Sequence, residues 1–255
     1  MEKRNDSAEN NRQRHDHAVN EKLNTYEGIA EYYDTLMTNG YYDYGVIASA
    51  LDKQIAGKRV VLELGVGTGL LAEQLLSINS EYKITGVDNT EAMLKQAKER
   101  LGDKVDYVMQ DITALNLDKT YEAAFSVGGC WYFIDSGDNL EFCSHIDDPN
   151  MSKRGLKKVV EHLEPKGLLA FSLQGIHSNY TQELSDELVY SQSITKEDGG
   201  FLKLYEFKKG DDVVASQHYR YATMQKEKTD TLFQSLGCEP VGLDEGRKFY
   251  VYRKN

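Results

Sequence analysis

Between residues 59 and 173 short apolar runs alternate with amphipathic stretches. Arg59 to Leu64, Tyr82 to Val87, Val105 to Met109, Tyr121 to Val127 and Leu168 to Leu173 are dense in Val, Ile, Leu and aromatic residues, the pattern of strands buried on both faces. Between them, Leu70 to Ile78, Glu91 to Leu101 and Leu156 to Leu163 space their apolar residues three and four apart, as helices do. Strand and helix in alternation predict an α/β fold, a parallel sheet covered by helices on both faces. Upstream, Tyr26, Ile29, Ala30, Tyr33, Leu36 and Met37 recur at helical spacing, with Glu27, Glu31 and Asp34 opposite. They predict a short amphipathic helix rich in tyrosine.

The rhythm changes after Leu173. Runs at Leu188 to Ile194, Phe201 to Phe207 and Val213 to Tyr221 are separated by Asp198-Gly199-Gly200 and Lys209-Gly210-Asp211, which are hairpin signals. An antiparallel insert over residues 176–223 is therefore expected. A helix near Lys226 to Leu236 and strands near Glu239 to Leu243 and Lys248 to Arg253 would return the chain to the sheet. Asp135 to Met151 reads as a long loop able to act as a lid. Residues 1–24 hold five acids, five bases and five apolar residues, the balance of a disordered polar tail. The organisation is then a tail over 1–24, a core with its lid helix over 25–175, the insert over 176–223, and a closing helix and strands over 224–255.

Composition narrows the partners. The net charge of −11 falls entirely on residues 25–255, because the tail sums to zero. A phosphate backbone needs clustered Lys and Arg, so nucleic acid is not expected as a partner. No window is apolar enough to span a membrane, and the N-terminus has no apolar stretch of the kind a secretion signal carries, which predicts a cytoplasmic protein. Cys130, Cys143 and Cys238 are odd in number and far apart, as free thiols in a reducing compartment are. His145 with Asp147 and Asp148 is a superficial metal grouping, and no metal is expected.

The sharpest motif is VLELGVGTGLL, residues 61–71. A buried strand ends at Gly65, and Gly65, Gly67 and Gly69 make a turn whose missing Cβ atoms let a ligand approach the backbone before a helix starts. A dinucleotide fingerprint needs its third glycine at position 70, which is Leu. Glu63, two residues before the turn, suits a cationic ligand group better than a pyrophosphate. Asp88 ends the second strand, where a carboxylate can accept both hydroxyls of a ribose. Asp111 follows the third strand beside Ile112, placed for an adenine amine and ring. Helix capping is the alternative for both aspartates, and ligand contact is the favoured reading.

On these residues the chain resembles the class I S-adenosylmethionine-dependent methyltransferases. The resemblance covers Tyr26 to Leu173 by motif and residues 224–255 by topology. It implies a Rossmann-like seven-stranded sheet with one antiparallel strand, and S-adenosylmethionine lying across the strand ends. Carried over, the glycine turn would hold the methionyl part, Asp88 the ribose, and Asp111 with Ile112 the adenine. Tyr26, Tyr33, Glu63, Asn89, Met93 and Ser126 complete the expected cofactor contacts. The family often has an acid at the start of the fourth strand; here Glu122 occupies that region, while Ser126, Val127 and Gly128 end the strand.

The run YEGIAEYYDTL and the β insert are similar to small-molecule N-methyltransferases that act on amino sugars or glycine. Tyr26, Trp131, Tyr132 and His177 are the expected substrate contacts, and Tyr33, His145 and His177 the expected catalytic ones. For Tyr26, Tyr33 and the Trp131-Tyr132-Phe133 run, plain core packing is the alternative. An amine needs only its free base, whereas a hydroxyl needs a positioned base such as His145 or His177. The expected function is N-methylation of an amine in specialised metabolism. O-methylation of a hydroxyl or carboxylate, and a catalytically silent fold acting as a binding protein, are the alternatives. The exposed edge of the insert would suit a homodimer.

Overall fold

The structure is a computed structural model that describes residues 26–255; the expected tail lies outside the described residues. The first segment runs from a 3₁₀ turn at Glu27–Ile29 into α1 (Ala30–Leu36) and a wound segment at Met37–Tyr41. Helix α2 (Tyr44–Gln54) follows, then β1 (Val60–Leu64), α3 (Leu70–Ile78), β2 (Lys83–Asp88), α4 (Glu91–Leu101), β3 (Val105–Met109) and β4 (Tyr121–Ser126). The hairpin β5 (Trp131–Asp135) and β6 (Leu140–Ser144) precedes α5 (Pro149–Glu161) and the long β7 (Leu163–Gln174). The insert carries β8 (Tyr180–Glu183), β9 (Val189–Glu197), β10 (Gly200–Lys209) and β11 (Asp212–Gln225), and α6 (Lys226–Ser235), β12 (Cys238–Leu243) and β13 (Phe249–Lys254) close the chain.

The core sheet runs β3-β2-β1-β4-β7-β13-β12, seven strands of which β13 alone runs antiparallel to the rest. Its strands are apolar on both sides because both sides are covered. Leu62, Leu64, Ala124, Leu169 and Phe171 face α5 and α6, while Val61, Ala123, Phe125, Leu168 and Ala170 face α2 and α3. The chain leaves β1 toward β2 and β3, then returns to the other side of β1 as β4. That reversal opens a crevice beyond the ends of β1 and β4, where open α/β sheets bind ligands.

The second sheet is larger than the expected insert. Its order is β5-β6-β11-β10-β9-β8, and β5 runs alongside the end of β7 through Phe133↔Leu173 and Ile134↔Gln174. The stretch expected as a loop over 135–151 is instead the turn and second strand of a hairpin, followed by the first turn of α5, which Asp148 caps. Leu140-Glu141-Phe142-Cys143-Ser144 is too short an apolar run to announce a strand alone; pairing with β11 from Ala222↔Ser144 to Gln225↔Glu141 fixes it. The inner face of this sheet is aromatic, with Tyr190, Phe201, Tyr205, Phe207, Tyr219 and Tyr221 buried against Ile29, Leu36 and Met37 of the N-terminal segment. Among the described residues no helix is long and apolar enough to cross a membrane.

At the crevice the loops after β1 and β4 touch backbone to backbone. A Cβ on Gly129 would lie 2.8 Å from the Leu64 carbonyl oxygen and 3.2 Å from Gly65 Cα. Gly129→Ala is therefore expected to force the two loops apart, with a loss of about 1 to 3 kcal/mol in urea unfolding. An unchanged midpoint would mean that the loops separate without cost.

Candidate functional site

The turn after β1 is braced by the end of β2. Gly65 N–H and Val66 N–H donate to the Val87 carbonyl at 2.8 and 3.0 Å, and Gly67 N–H donates to Asp88 Oδ2 at 2.9 Å. Thr90 N–H donates to Asp88 Oδ1, also at 2.9 Å. Asp88 thus joins the glycine turn to the start of α4 and lines the neighbouring cavity as well. Burial raises its carboxyl pKa, opposed by the hydrogen bonds from Thr90 and Gly67. Glu63 is 3% exposed, and its Oε2 has no hydrogen-bond partner among the described residues. Burial, then the nearby Asp88, pushes its carboxyl well above the usual range. Tyr33, Tyr44, Gly65, Gly67 and Thr68 line the small pocket into which Glu63 faces.

Beside this pocket lies a cavity of about 330 Å³ lined by Tyr26, Asp88, Asn89, Asp111, Ile112, Thr113, Gly129, Cys130 and His145, among others. Asp111 heads the 3₁₀ turn Ile112–Ala114, its Oδ1 accepting from Thr113 N–H at 2.8 Å. The cap and the cavity wall are therefore one residue. Two expected contacts lie elsewhere. Met93 is buried beneath α4, and Ser126 is buried with its Oγ accepting from Trp131 N–H at 3.3 Å, and neither lines this cavity.

A narrow aromatic chamber of about 10 Å³ adjoins the cavity and shares Tyr26 and His145 with it. Tyr33, Tyr41, Tyr42, Tyr132, Tyr205, Tyr221, His177, Met37, Gly128 and Gln174 complete its walls, and no carboxylate is among them. Tyr41, Tyr42, Gln174 and His177 also border an outer cavity of about 500 Å³. Tyr132 and His177 Nε2 are hydrogen-bonded at 2.8 Å. Alternation along β5 corrects one expectation: Tyr132 turns to the chamber, while Trp131 turns into the core and donates from Nε1 to Ser152 Oγ at 2.9 Å. Trp131 is therefore no substrate contact.

Electrostatically the chamber is dry and short of counter-charge. Burial, reinforced by the Lys203 ammonium, pushes His145 and His177 down to about 3, so both rings are neutral at neutral pH. Burial raises the Tyr33 hydroxyl, which therefore serves as a donor and not as a base. Lys203 is 0% exposed, its Nζ 2.8 Å from the Tyr41 hydroxyl, and burial pushes its ammonium down to about 7. Sequence reasoning missed it. The signal was present in FLKLYEF, where period-two spacing puts Lys203 on one face with Phe201, Tyr205 and Phe207.

A latch holds the tyrosine helix over the site. Asp34, expected on a polar outer face, pairs with Arg100 of α4 and accepts from Thr68 Oγ1 at 2.5 Å. Arg100 also donates to the Thr68 carbonyl at 3.0 Å and pairs with Glu73 at 3.1 Å. Gln96 donates to the Ala30 carbonyl at 2.8 Å. The helix is thereby tied to the glycine turn and α4 together. Among the described residues no group of His, Cys, Asp or Glu is arranged to hold a metal ion.

Residues 61–167 match the family model of a methyltransferase domain. The malonyl-[acyl-carrier protein] O-methyltransferase of Bacillus anthracis is 30% identical over 155 residues, covering 60% of this chain and 49% of that protein. The chain spans about half the length of the curated relatives it matches. The CcbJ methyltransferase of Streptomyces caelestis superposes with a TM-score of 0.69 at 21% identity, over 91% of this chain and 99% of that one. An amino pentose methyltransferase from Micromonospora echinaspora, solved with S-adenosylmethionine bound, gives 0.65 at 17% identity, over 88% and 96%. The fold is that of the class I S-adenosylmethionine-dependent methyltransferases, and residues 61–167 match a methyltransferase domain.

The two imidazoles make acid stability a test of this site. Each is neutral in the fold but takes a proton in the unfolded chain below its ordinary pKa of 6.5. Their contribution is complete above that value and is lost as pH falls from 6.5 toward about 3. The urea midpoint should fall with pH across this window, and more steeply than in the His145→Gln, His177→Gln double variant. Equal slopes would mean that other groups set the acid sensitivity.

Proposed function

We propose that this chain is an S-adenosylmethionine-dependent methyltransferase of a small metabolite, and that the accepting atom is an amine nitrogen. One observation carries the reading: a chamber walled by tyrosines and neutral imidazoles, without a carboxylate, stands between the crevice at the strand ends and an outer cavity.

The cofactor fits what the crevice offers. Glu63 Oε2 is a buried acceptor without a partner, suited to the α-ammonium of a methionyl tail. At Gly67, with φ of +55°, a Cβ would project into open space where a ligand can lie against the backbone. Asp88 and Asn89 would hold the ribose, and Asp111 with Ile112 the adenine, with Tyr26 and Tyr33 closing over the top. When bound, S-adenosylmethionine supplies a methyl carbon already activated by its sulfonium.

The chain's residues supply position and proton management. Low polarity and the neighbouring Lys203 charge disfavour an ammonium in the chamber, so a bound amine keeps its lone pair free. The walls would hold that nitrogen within about 3 to 3.5 Å of the methyl carbon and keep water out. His145 and His177, held at about 3, are weak bases that serve as neutral hydrogen-bond partners, and the proton of the methylated amine leaves with the product to solvent. The bond from Tyr132 fixes the His177 ring.

A second reading is O-methylation, since curated relatives include malonyl-[acyl-carrier protein] O-methyltransferases; a carboxylate acceptor would need no base, in keeping with imidazoles held at about 3. A cytoplasmic setting is consistent with the three free thiols, and a homodimer through the edge strand β8 belongs to the same proposal.

Methyl-labelled S-adenosylmethionine offered with separate pools of amines, alcohols and carboxylic acids tests the reading. Label is expected in the amine pool, in products that resist mild base. Label confined to alcohols or acids would replace the amine by oxygen, and tight cofactor binding without transfer to any pool would mark a silent fold. Glu63→Gln should weaken cofactor binding by about 10- to 100-fold in calorimetry, as loss of a hydrogen bond to a charged group does. Unchanged affinity would remove Glu63 from the cofactor site.

A further inference from the structure

Lys203 is a charge placed where packing alone has no use for one. On β10 its inward neighbours are Phe201, Tyr205 and Phe207, and it is itself fully buried. Nζ has one hydrogen-bond partner, the Tyr41 hydroxyl at 2.8 Å, and lies 4.2 Å from the Tyr205 ring centroid. None of the ion pairs among the described residues includes it. An ammonium carries three donors, so this one is left short of acceptors in a dry interior. A methionine would fill the same slot without stripping water from a charge.

The surroundings say which way the charge works. Tyr41 and Tyr205, which flank Nζ, both line the aromatic chamber, and Tyr41 also borders the outer cavity of about 500 Å³. The Lys203 charge bears on His145 and His177, so it acts on the same interior as the two imidazoles. Asp43 and Lys248 both border the outer cavity, whereas the chamber walls hold no carboxylate, and the Lys203 ammonium lies directly behind Tyr41 and Tyr205. The Tyr41 hydroxyl, accepting from Nζ, keeps its own proton to donate to an anion.

We propose that Lys203, together with the Tyr41 hydroxyl, is an anion-binding subsite of the acceptor chamber, and that the acceptor carries an oxyanion, a carboxylate or a phosphate, besides its methylated nitrogen. The subsite stands on the burial of Lys203 without an ion-pair partner and on its contact with two chamber tyrosines; only the identity of its occupant as the acceptor rests on the methyltransferase reading. An oxyanion there offsets the charge of Lys203 and fixes one end of the acceptor while the other faces the crevice.

The test is binding of acetate, inorganic phosphate and chloride to the full chain labelled with ¹⁵N in its lysine side chains. The Lys203 signal is identified by its loss in Lys203→Met. The expected result is a saturable shift of that signal with acetate or phosphate and not with chloride, and affinity at least about tenfold weaker in Lys203→Met by calorimetry. Stronger response to acetate assigns a carboxylate-bearing acceptor, and stronger response to phosphate a phosphorylated one. A Lys203 signal that ignores both oxyanions in the native chain overturns the proposal, as does equal affinity in Lys203→Met. Neither readout involves methyl transfer, so a chain that binds the oxyanion but methylates nothing sinks only the proposed function.

Discussion

Two loops pass without side chains between them at Gly65 and Gly129, and the rest of the site hangs on that passage. The sheet reverses direction at β1, which brings the ends of β1 and β4 side by side. If either loop carried a Cβ there, backbone atoms at about 3 Å would have to move. Because neither does, the crevice closes on one side with bare backbone and leaves the space above the glycine turn to a ligand. Asp88 then locks the turn from the other side through Gly67 N–H and Thr90 N–H. The same carboxylate that holds the loop in shape also faces the cavity, so folding and binding make one demand on it.

The tyrosine helix is controlled from two directions. Asp34 and Arg100 fasten it to the glycine turn and α4, while Ile29, Leu36 and Met37 bury themselves against the aromatic face of the second sheet. Tyr32 stacks on Phe207 with ring centroids 5.3 Å apart, and Tyr26 lies 4.5 Å from Tyr219. The helix is too short to be stable alone, so its position is set by these contacts. A cofactor that displaced Thr68 or Tyr33 would therefore press on the contacts that shape the acceptor chamber. The crevice and the aromatic chamber share a wall, and that wall is the tyrosine helix with Tyr26 before it.

Legibility followed the range of the interactions. The core strands were readable because each is a continuous apolar run covered on both faces, and the glycine turn because its spacing leaves little freedom. Asp88 and Asp111 read from the sequence as strand-end acids that are either ligand contacts or caps, and in the fold each accepts from a backbone N–H two residues on while also lining the cavity. Helix α2 was missed: Tyr44 to Gln54 has no strong apolar stripe and is held by packing against α3. Strand β6 was taken for loop because its definition comes from β5 and β11, the latter some 80 residues later in the chain. Trp131 was assigned to the site on the strength of its ring, when only the parity of β5 decides that Tyr132 faces the chamber. Lys203 was overlooked for a related reason. A lysine among strand residues reads as solvated until the sheet on which its face lies is known to be covered.

The chamber's chemistry follows from that covering. Seven tyrosines and two histidines could in water donate, accept or ionise, yet in this interior burial raises the Tyr33, Tyr132 and Tyr221 hydroxyls and lowers the two imidazoles, so these groups are driven to their neutral forms. Neutral groups neither compete for a cationic methyl donor nor attract water to it. They leave hydrogen bonds and ring faces, which is what orienting a nucleophile requires. Burial draws Lys203 down as well, to about 7, and against this neutral lining its charge, where it is held, weighs more than it would at the surface. The aromatic wall and Lys203 therefore work together: the wall makes the interior dry, and the dryness gives one lysine control over the charge the chamber will admit.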